Sequence, residues 1–257
     1  MIRKKTDKTG LTPLSELVSL DKKRALITGS GSGIGRAIAY RFAEAGARLE
    51  LVDINEESLA SVEEELEHFN TEINVHRVNL SKKEEIDSLW ERLAGKEPGI
   101  LVNNAGIYPT KPFLDVDESF LKKVMDVNLN SVFWMCQHMI RSRLKKGGVI
   151  INTGSIEAVM PLKEDLAHYG ISKAGIMVLS RALASEYGKR GFRINVLGQA
   201  EYGLRELGTC ERRYEVQVEC CQVGHRIQHE DSSRKTREAR RNCVYGFGSG
   251  ERLVQLR

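Results

Sequence analysis

Short apolar runs and amphipathic stretches alternate along most of this chain. "RALITG" is an apolar run closed by a turn signal, which predicts a buried strand. Helical spacing follows from Gly33 to Ala45, then "RLELVDI" predicts a strand ending at Asp53. An acidic amphipathic helix is expected over Glu56 to His68, and a strand over "INVHRVNL". "SKKEEIDSLWERLA" opens with Ser81 in the N-cap position and Glu84 three residues on, a capping-box pattern, and continues as a helix. "GILVNNAG" and "GGVIINTGS" read as strands on either side of one long helix, Phe120 to Leu144. A last helix spans Leu166 to Lys189 and a sixth strand is "FRINVL". Strands of this length alternating with helices predict an α/β fold, a doubly wound parallel sheet with helices on both faces. Residues 1–20 read as a polar N-terminal arm, with Leu14, Leu17, Val18 and Leu20 placed to dock on the domain. The domain itself is expected over 21–197, and 198–257 as an atypical C-terminal tail.

Composition changes this picture little. At 257 residues with 41% apolar and 29% charged content, the chain has the make-up of an ordinary globular protein. A formal charge of +4 points to neither nucleic acid nor membrane. The N-terminal "MIRKKTDKTGLTPLSEL" is basic without the apolar stretch of a signal peptide, so a cytoplasmic setting is expected. Five cysteines without framework spacing predict no disulfide.

The chemistry sits at the expected carboxyl ends of the strands. "ALITGSGSGIG" puts Gly29, Gly31, Gly33 and Gly35 between the first strand and the first helix. Glycines there let the backbone turn tightly against a pyrophosphate, and the helix N-terminus offers its unpaired N–H groups to the negative charge. Ser32 and Ile34 belong to the same loop. Asp53 follows Gly35 by eighteen residues; a carboxylate there accepts from ribose hydroxyls and repels a 2′-phosphate, favouring NAD over NADP. "LVNNAGIYP" supplies Asn103, Asn104, Ala105 and Gly106, small and polar where ligands sit in such sheets. "HYGISKAG" places Tyr169 and Lys173 four apart on one helix face. A cation beside a phenol favours the phenolate, so Tyr169 can serve as a general acid or base near neutral pH. Ser155, fourteen residues earlier at a strand end, can hold a carbonyl oxygen. Glu157 either faces the substrate or is a solvated loop acid, and His168 points elsewhere than Tyr169. Trp90 and Trp134 are assigned to packing, and no metal site is assigned.

Taken together, "TGSGSGIG", Asp53, "NNAG", Asn128 in "VMDVNLNSVF", Ser155, Tyr169 and Lys173 resemble the short-chain dehydrogenase/reductase family, in its short single-domain form, over about residues 22–197. The resemblance implies a Rossmann-type oxidoreductase that moves a hydride between NAD(H) and an alcohol or ketone: a sugar, a polyol or a secondary alcohol. A 3-oxoacyl-[acyl-carrier-protein] reductase is the alternative, although that group favours NADPH. In this resemblance Tyr169 exchanges the proton, Lys173 lowers its pKa and binds the nicotinamide ribose, Ser155 orients the substrate oxygen, and Asn128 holds a relay water. Asn79 stands where many relatives carry an adenine-contacting Asp, followed by Leu80. Copies are expected to pair through helices on the sheet faces, with a tetramer disfavoured.

After "RINVL" the pattern stops. Gly198 is followed by Gln199 and Ala200, where the family has Pro-Gly. Lysines number sixteen and arginines twelve up to residue 200, against one and ten beyond it. Cys210, Cys220, Cys221 and Cys243 all fall in this last stretch. Cys220, Cys221, His225 and His229 lack the paired spacing of a zinc site. The basic "RKTREARRN" is offset by nine acids in the same stretch, so it reads as solvated and not as a nucleic-acid patch. Degenerate back-translation of Asp231 to Cys243, read from the second base of each codon, permits "IPLGRLGKPEEIA". That string resembles the segment the family carries before its penultimate helix. The reading this supports is a frame slip near residue 198, giving a truncated product that binds NAD but is catalytically impaired. An intact frame in the gene would overturn it.

Overall fold

The computed structural model describes residues 14–198. The tail expectations, the frame slip included, and most of the N-terminal arm lie outside these residues. Six parallel strands form one sheet in the order β3-β2-β1-β4-β5-β6. They are β1 (Arg24–Thr28), β2 (Arg48–Asp53), β3 (Ile73–Arg77), β4 (Ile100–Asn103), β5 (Gly148–Thr153) and β6 (Phe192–Leu197). The helices are α1 (Leu14–Leu17), α2 (Gly33–Glu44), α3 (Glu56–Leu66), α4 (Lys83–Arg92), α5 (Glu118–Met125), α6 (Ser131–Arg143) and α7 (Ala167–Tyr187).

Alternation along each strand divides the core in two. Ala25, Ile27, Leu49, Leu51, Ile100 and Val102 meet Ala39 and Ala43 of α2 and Leu59, Val62 and Leu66 of α3. Leu26, Val52, Leu101 and Ile150 face the other way, onto α4, α6 and α7 through Leu89, Met135, Met139 and Ile176. Each sheet face is therefore dry, which is why the strands read as unbroken apolar runs. Glu50 of β2 interrupts that run at 2% exposure. It is satisfied by Arg24, by His76 Nε2 at 2.7 Å and by Asn74 Nδ2 at 3.2 Å.

Three local expectations are revised. The stretch from Phe120 to Leu144 is not one regular helix: a π-helical segment, Asp126–Asn130, separates α5 from α6. Segments of this kind occur often at functional sites. Ser81 does not cap α4. The side chain of Asn79 accepts the Ser81 N–H at 3.1 Å and its hydroxyl at 2.8 Å, while Glu85, not Glu84, reaches back to the Asn79 N–H at 2.7 Å. In the arm, Leu17 and Val18 are 66% and 59% exposed, and Leu20 alone of the described side chains packs on the core.

Candidate active site

The strand order turns back at β1, whose neighbours are β2 and β4. Helices leave to opposite sides at such a point, opening a crevice beyond the carboxyl ends of the strands. The glycine loop lies there. Gly29 and Gly33 have φ of +64° and +52°, a region that disfavours a side chain. A Cβ on Gly35 would lie 2.0 Å from the carbonyl oxygen of Gly29, so only glycine lets the loop close on the first turn of α2. At Gly33 a Cβ would meet nothing within 4 Å. Ser32, the N-cap of α2, makes no side-chain capping bond, and the first helical turn carries no acid. This helix end thus presents donors without a protein anion to receive them. Ser30 is buried and tied to the Val52 carbonyl, so it supports the loop from below.

Asp53 closes the loop's outer side. Its Oδ2 accepts the Gly31 N–H at 3.0 Å and its Oδ1 the Asn55 N–H at 3.1 Å. On the opposite side, Thr28 Oγ1 accepts the N–H groups of Asn104 and Ala105 at 3.0 and 3.1 Å. Asn104 Nδ2 returns a bond to the Gly29 carbonyl at 3.2 Å. The "NNAG" turn and the glycine loop are therefore one hydrogen-bonded unit. Ile34 remains partly exposed on the first turn of α2, while Leu80 sits in the core. Asn103 is turned away from the crevice; its amide donates to Asn152 Oδ1 at 2.8 Å within the sheet. Cys136 shares that buried network, and burial pushes its thiol up to about 12, which leaves it inert.

Ser155, Tyr169 and Lys173 meet in a cavity of about 180 Å³, with Asn104, Gly106 and Tyr108 on its walls. Lys173 is 3% exposed. Its Nζ donates to the Thr153 carbonyl at 2.8 Å and lies 5.6 Å from the centre of the Tyr169 ring. Ser155 Oγ accepts the Glu157 N–H at 3.3 Å, which leaves its hydroxyl proton to donate. The hydroxyl of Thr153, buried beside Lys173, has no partner among the described residues. Asn128 is fully buried in the π-helical segment. Its amide pins Ile107, accepting from the N–H at 2.8 Å and donating to the carbonyl at 2.9 Å, and also reaches Ser172. A Cβ on Gly106 would lie 3.3 Å from Asn128 Oδ1 and 3.7 Å from Lys173 Nζ, so glycine keeps the space between those two side chains open.

The model of the short chain dehydrogenase family matches residues 23–200. The chain belongs to that family. It is 35% identical to 3beta-hydroxysteroid dehydrogenase 2 of Eggerthella lenta, over 67% of this chain and 68% of the relative. It is 33% identical to a 3-oxoacyl-[acyl-carrier-protein] reductase of Chlamydia pneumoniae, over 70% and 73%. Among solved structures it resembles L-sorbose reductase from Gluconobacter frateurii, complexed with NADPH and L-sorbose. The TM-score there is 0.66 and the identity 31%, over 70% of this chain and 69% of that one. This short-chain dehydrogenase is thus an oxidoreductase by family, and relatives of similar identity act on unlike substrates.

For two residues only part of the picture was legible in the sequence. Glu157 is buried at 9% exposure and lines the cavity, so it is not the solvated loop acid of one of its two readings. Its signal in the sequence was only its spacing from Ser155. Among the described residues His168 makes no side-chain hydrogen bond to a neighbour in sequence, and its ring meets Phe120 edge to face. Its Nε2 bonds the Pro109 carbonyl at 2.7 Å, fifty-nine residues away, and so anchors the loop that carries Tyr108. Among the described residues, no helix is long and apolar enough to cross a membrane and no cluster of ligating side chains could hold a metal.

Burial holds Lys173 at about 8, well below its ordinary 10.5. Between those values the unfolded chain binds a proton that the folded chain does not. The resulting penalty on stability is complete below about pH 8 and is relieved as pH rises towards 10.5. Urea unfolding without nucleotide should therefore show the native chain gaining stability relative to Lys173→Met across that window. A difference that stays flat with pH would refute a buried, titrating Lys173.

Proposed function

We propose that this chain is built as an NAD-dependent dehydrogenase of a secondary alcohol, with Ser155, Tyr169 and Lys173 as its catalytic residues. The observation that carries this reading is the convergence of these three groups on one cavity, with a buried ammonium next to the phenol. The cradle fits the nucleotide: uncapped donors at α2, open space over Gly33, and an orphaned Thr153 hydroxyl beside Lys173. Gly29, Ser32, Gly33, Ile34 and Gly35 would hold the pyrophosphate. Asp53 would hold the adenosine ribose, with the amide of Asn79 and the backbone of Leu80 near the adenine. Asn104, Ala105 and Gly106 would border the path to the nicotinamide. NAD, when bound, supplies the acceptor for the hydride.

The protein's own part is proton handling and alignment. Ser155 donates to the substrate oxygen and fixes the reacting carbon. Tyr169, as phenolate, takes the hydroxyl proton as the alcohol becomes a ketone. Lys173 stabilises that phenolate by charge and anchors on the Thr153 carbonyl. Asn128 holds the relay water by which the proton leaves. Asp53 disfavours NADP because a 2′-phosphate would face a carboxylate already fixed by two backbone N–H groups. Copies pair through α5–α7, where Phe133, Ile171 and Val178 are exposed.

Titration of the full chain should give NAD affinity at least about tenfold above NADP, and Asp53→Ala should narrow that ratio. Equal affinities would defeat the preference, and no nucleotide binding would defeat the whole reading. A second reading has its own observation: the out-of-frame compatibility of Asp231 to Cys243, with the family match ending at residue 200. It expects NAD binding with little NADH formation on any alcohol. Resequencing the gene around the codons for Val196 to Glu206 decides it.

A further inference from the structure

Glu157 is the only carboxylate among the described residues that lines the cavity of Ser155, Tyr169 and Lys173. Its Oε2 accepts the Leu162 N–H at 3.0 Å. Its Oε1 makes no hydrogen bond among the described residues, and none of the ion pairs there includes Glu157. Thr153 Oγ1 is the one fully sealed polar side-chain atom without a partner among the described residues, so Glu157 Oε1 stays reachable from the cavity and able to accept from a ligand there. The turn that carries it is also fixed in place. A Cβ on Gly170 would come within 3.2 Å of the Glu157 carbonyl oxygen, so the turn and α7 are in close contact beside Tyr169.

Tyr108 borders the same cavity. It meets Tyr169 edge to face with ring centres 4.6 Å apart and is 40% exposed. An acceptor-only carboxylate beside an accessible aromatic ring suits a carbon skeleton that carries both C–H faces and hydroxyl donors. We propose that Glu157 is a specificity-determining residue that accepts a hydrogen bond from a second hydroxyl, next to the reacting carbon. This rests on the alcohol-dehydrogenase reading above. It assigns the substrate class to vicinal diols, meaning polyols and sugars. A 3-oxoacyl thioester would turn carbonyl oxygens, which only accept, towards an acceptor. An ammonium would meet Lys173 in the cavity and Lys163, whose Nζ lies 5.7 Å from the Tyr108 ring centre.

Three matched probes test this on the full chain saturated with NAD: cyclohexanol, trans-cyclohexane-1,2-diol and trans-2-aminocyclohexanol, each titrated by calorimetry. The diol should bind about tenfold or more tightly than cyclohexanol, in line with a hydrogen bond to a charged acceptor. Glu157→Gln keeps an acceptor for the Leu162 N–H and removes the charge. It should bring diol and cyclohexanol within about twofold of each other while NAD and cyclohexanol bind as before. The inference falls if the native chain binds diol and cyclohexanol alike, if Glu157→Gln keeps the diol advantage, or if the amino alcohol binds best. Uptake of NAD without discrimination sinks this inference alone. Absence of NAD uptake removes the dehydrogenase reading and this inference with it.

Discussion

Replacing Tyr169 with Phe should lower kcat by about two to four orders of magnitude while leaving NAD affinity nearly unchanged. The phenolic oxygen is the only part removed. The ring keeps its edge-to-face contact with Tyr108, and its burial at 8% exposure is untouched. Lys173 keeps its own anchor on the Thr153 carbonyl, so the variant should fold and bind nucleotide. Single-turnover formation of NADH, monitored by absorbance, gives the rate, and a parallel NAD titration gives the affinity. A variant that retains more than about a tenth of native turnover would remove Tyr169 from the proton's path. A parallel fall in NAD affinity would mean that the substitution acts on structure.

The second large effect is expected from Gly35→Ala. A methyl group there meets the Gly29 carbonyl oxygen at 2.0 Å and its carbon at 2.7 Å, which are backbone atoms that no rotamer change can move aside. Overpacking of this kind costs up to about 3 kcal/mol. For a chain of this size that corresponds to a fall in Tm of about 6–12 °C. Displaced loop donors should also weaken NAD binding by about a hundredfold. Gly33→Ala is the informative partner. It meets no atom within 4 Å and carries only the strain of φ +52°, of order 1 kcal/mol. It should therefore unfold near the native temperature yet still impair the nucleotide, because its methyl group enters the space over the loop. Calorimetric scans and NAD titrations of both variants separate the two costs. Equal melting temperatures for Gly35→Ala and the native chain would contradict the contact with Gly29.

Much of this architecture was legible because it is written in local terms. The strands are apolar runs buried on both faces, and Gly29, Gly33 and Gly35 occur where the backbone itself demands them. Tyr169 and Lys173 share a helix face by spacing alone. What the sequence did not disclose depends on partners distant in the chain. The break at Asp126–Asn130 places Asn128 against Ile107, a contact that no helical periodicity encodes. Ser81 looked like a cap, but Asn79, two residues earlier, already held its N–H and hydroxyl. Glu157 had two readings in the sequence, and only the packing of its turn against α7 shows it to be buried.

The seam between β1 and β4 has a consequence for how the chain acquires this shape. Ala25 pairs with Ile100 there, and the bonds joining Thr28 to Asn104 close a loop of seventy-six residues. The pairs on either side of the seam join strands much nearer in sequence, such as Arg24 with Arg48 and Ile100 with Val149. Closing the longest loop costs the most chain entropy, so β1-α2-β2-α3-β3 can condense before β4 finds its place. The nucleotide cradle straddles that joint, with glycines from the early half and "NNAG" from the late one. In that order of assembly the cradle is complete only once β4 has joined β1. A nucleotide bridging the joint would act as a clamp on the pairing that spans the greatest length of chain in the sheet.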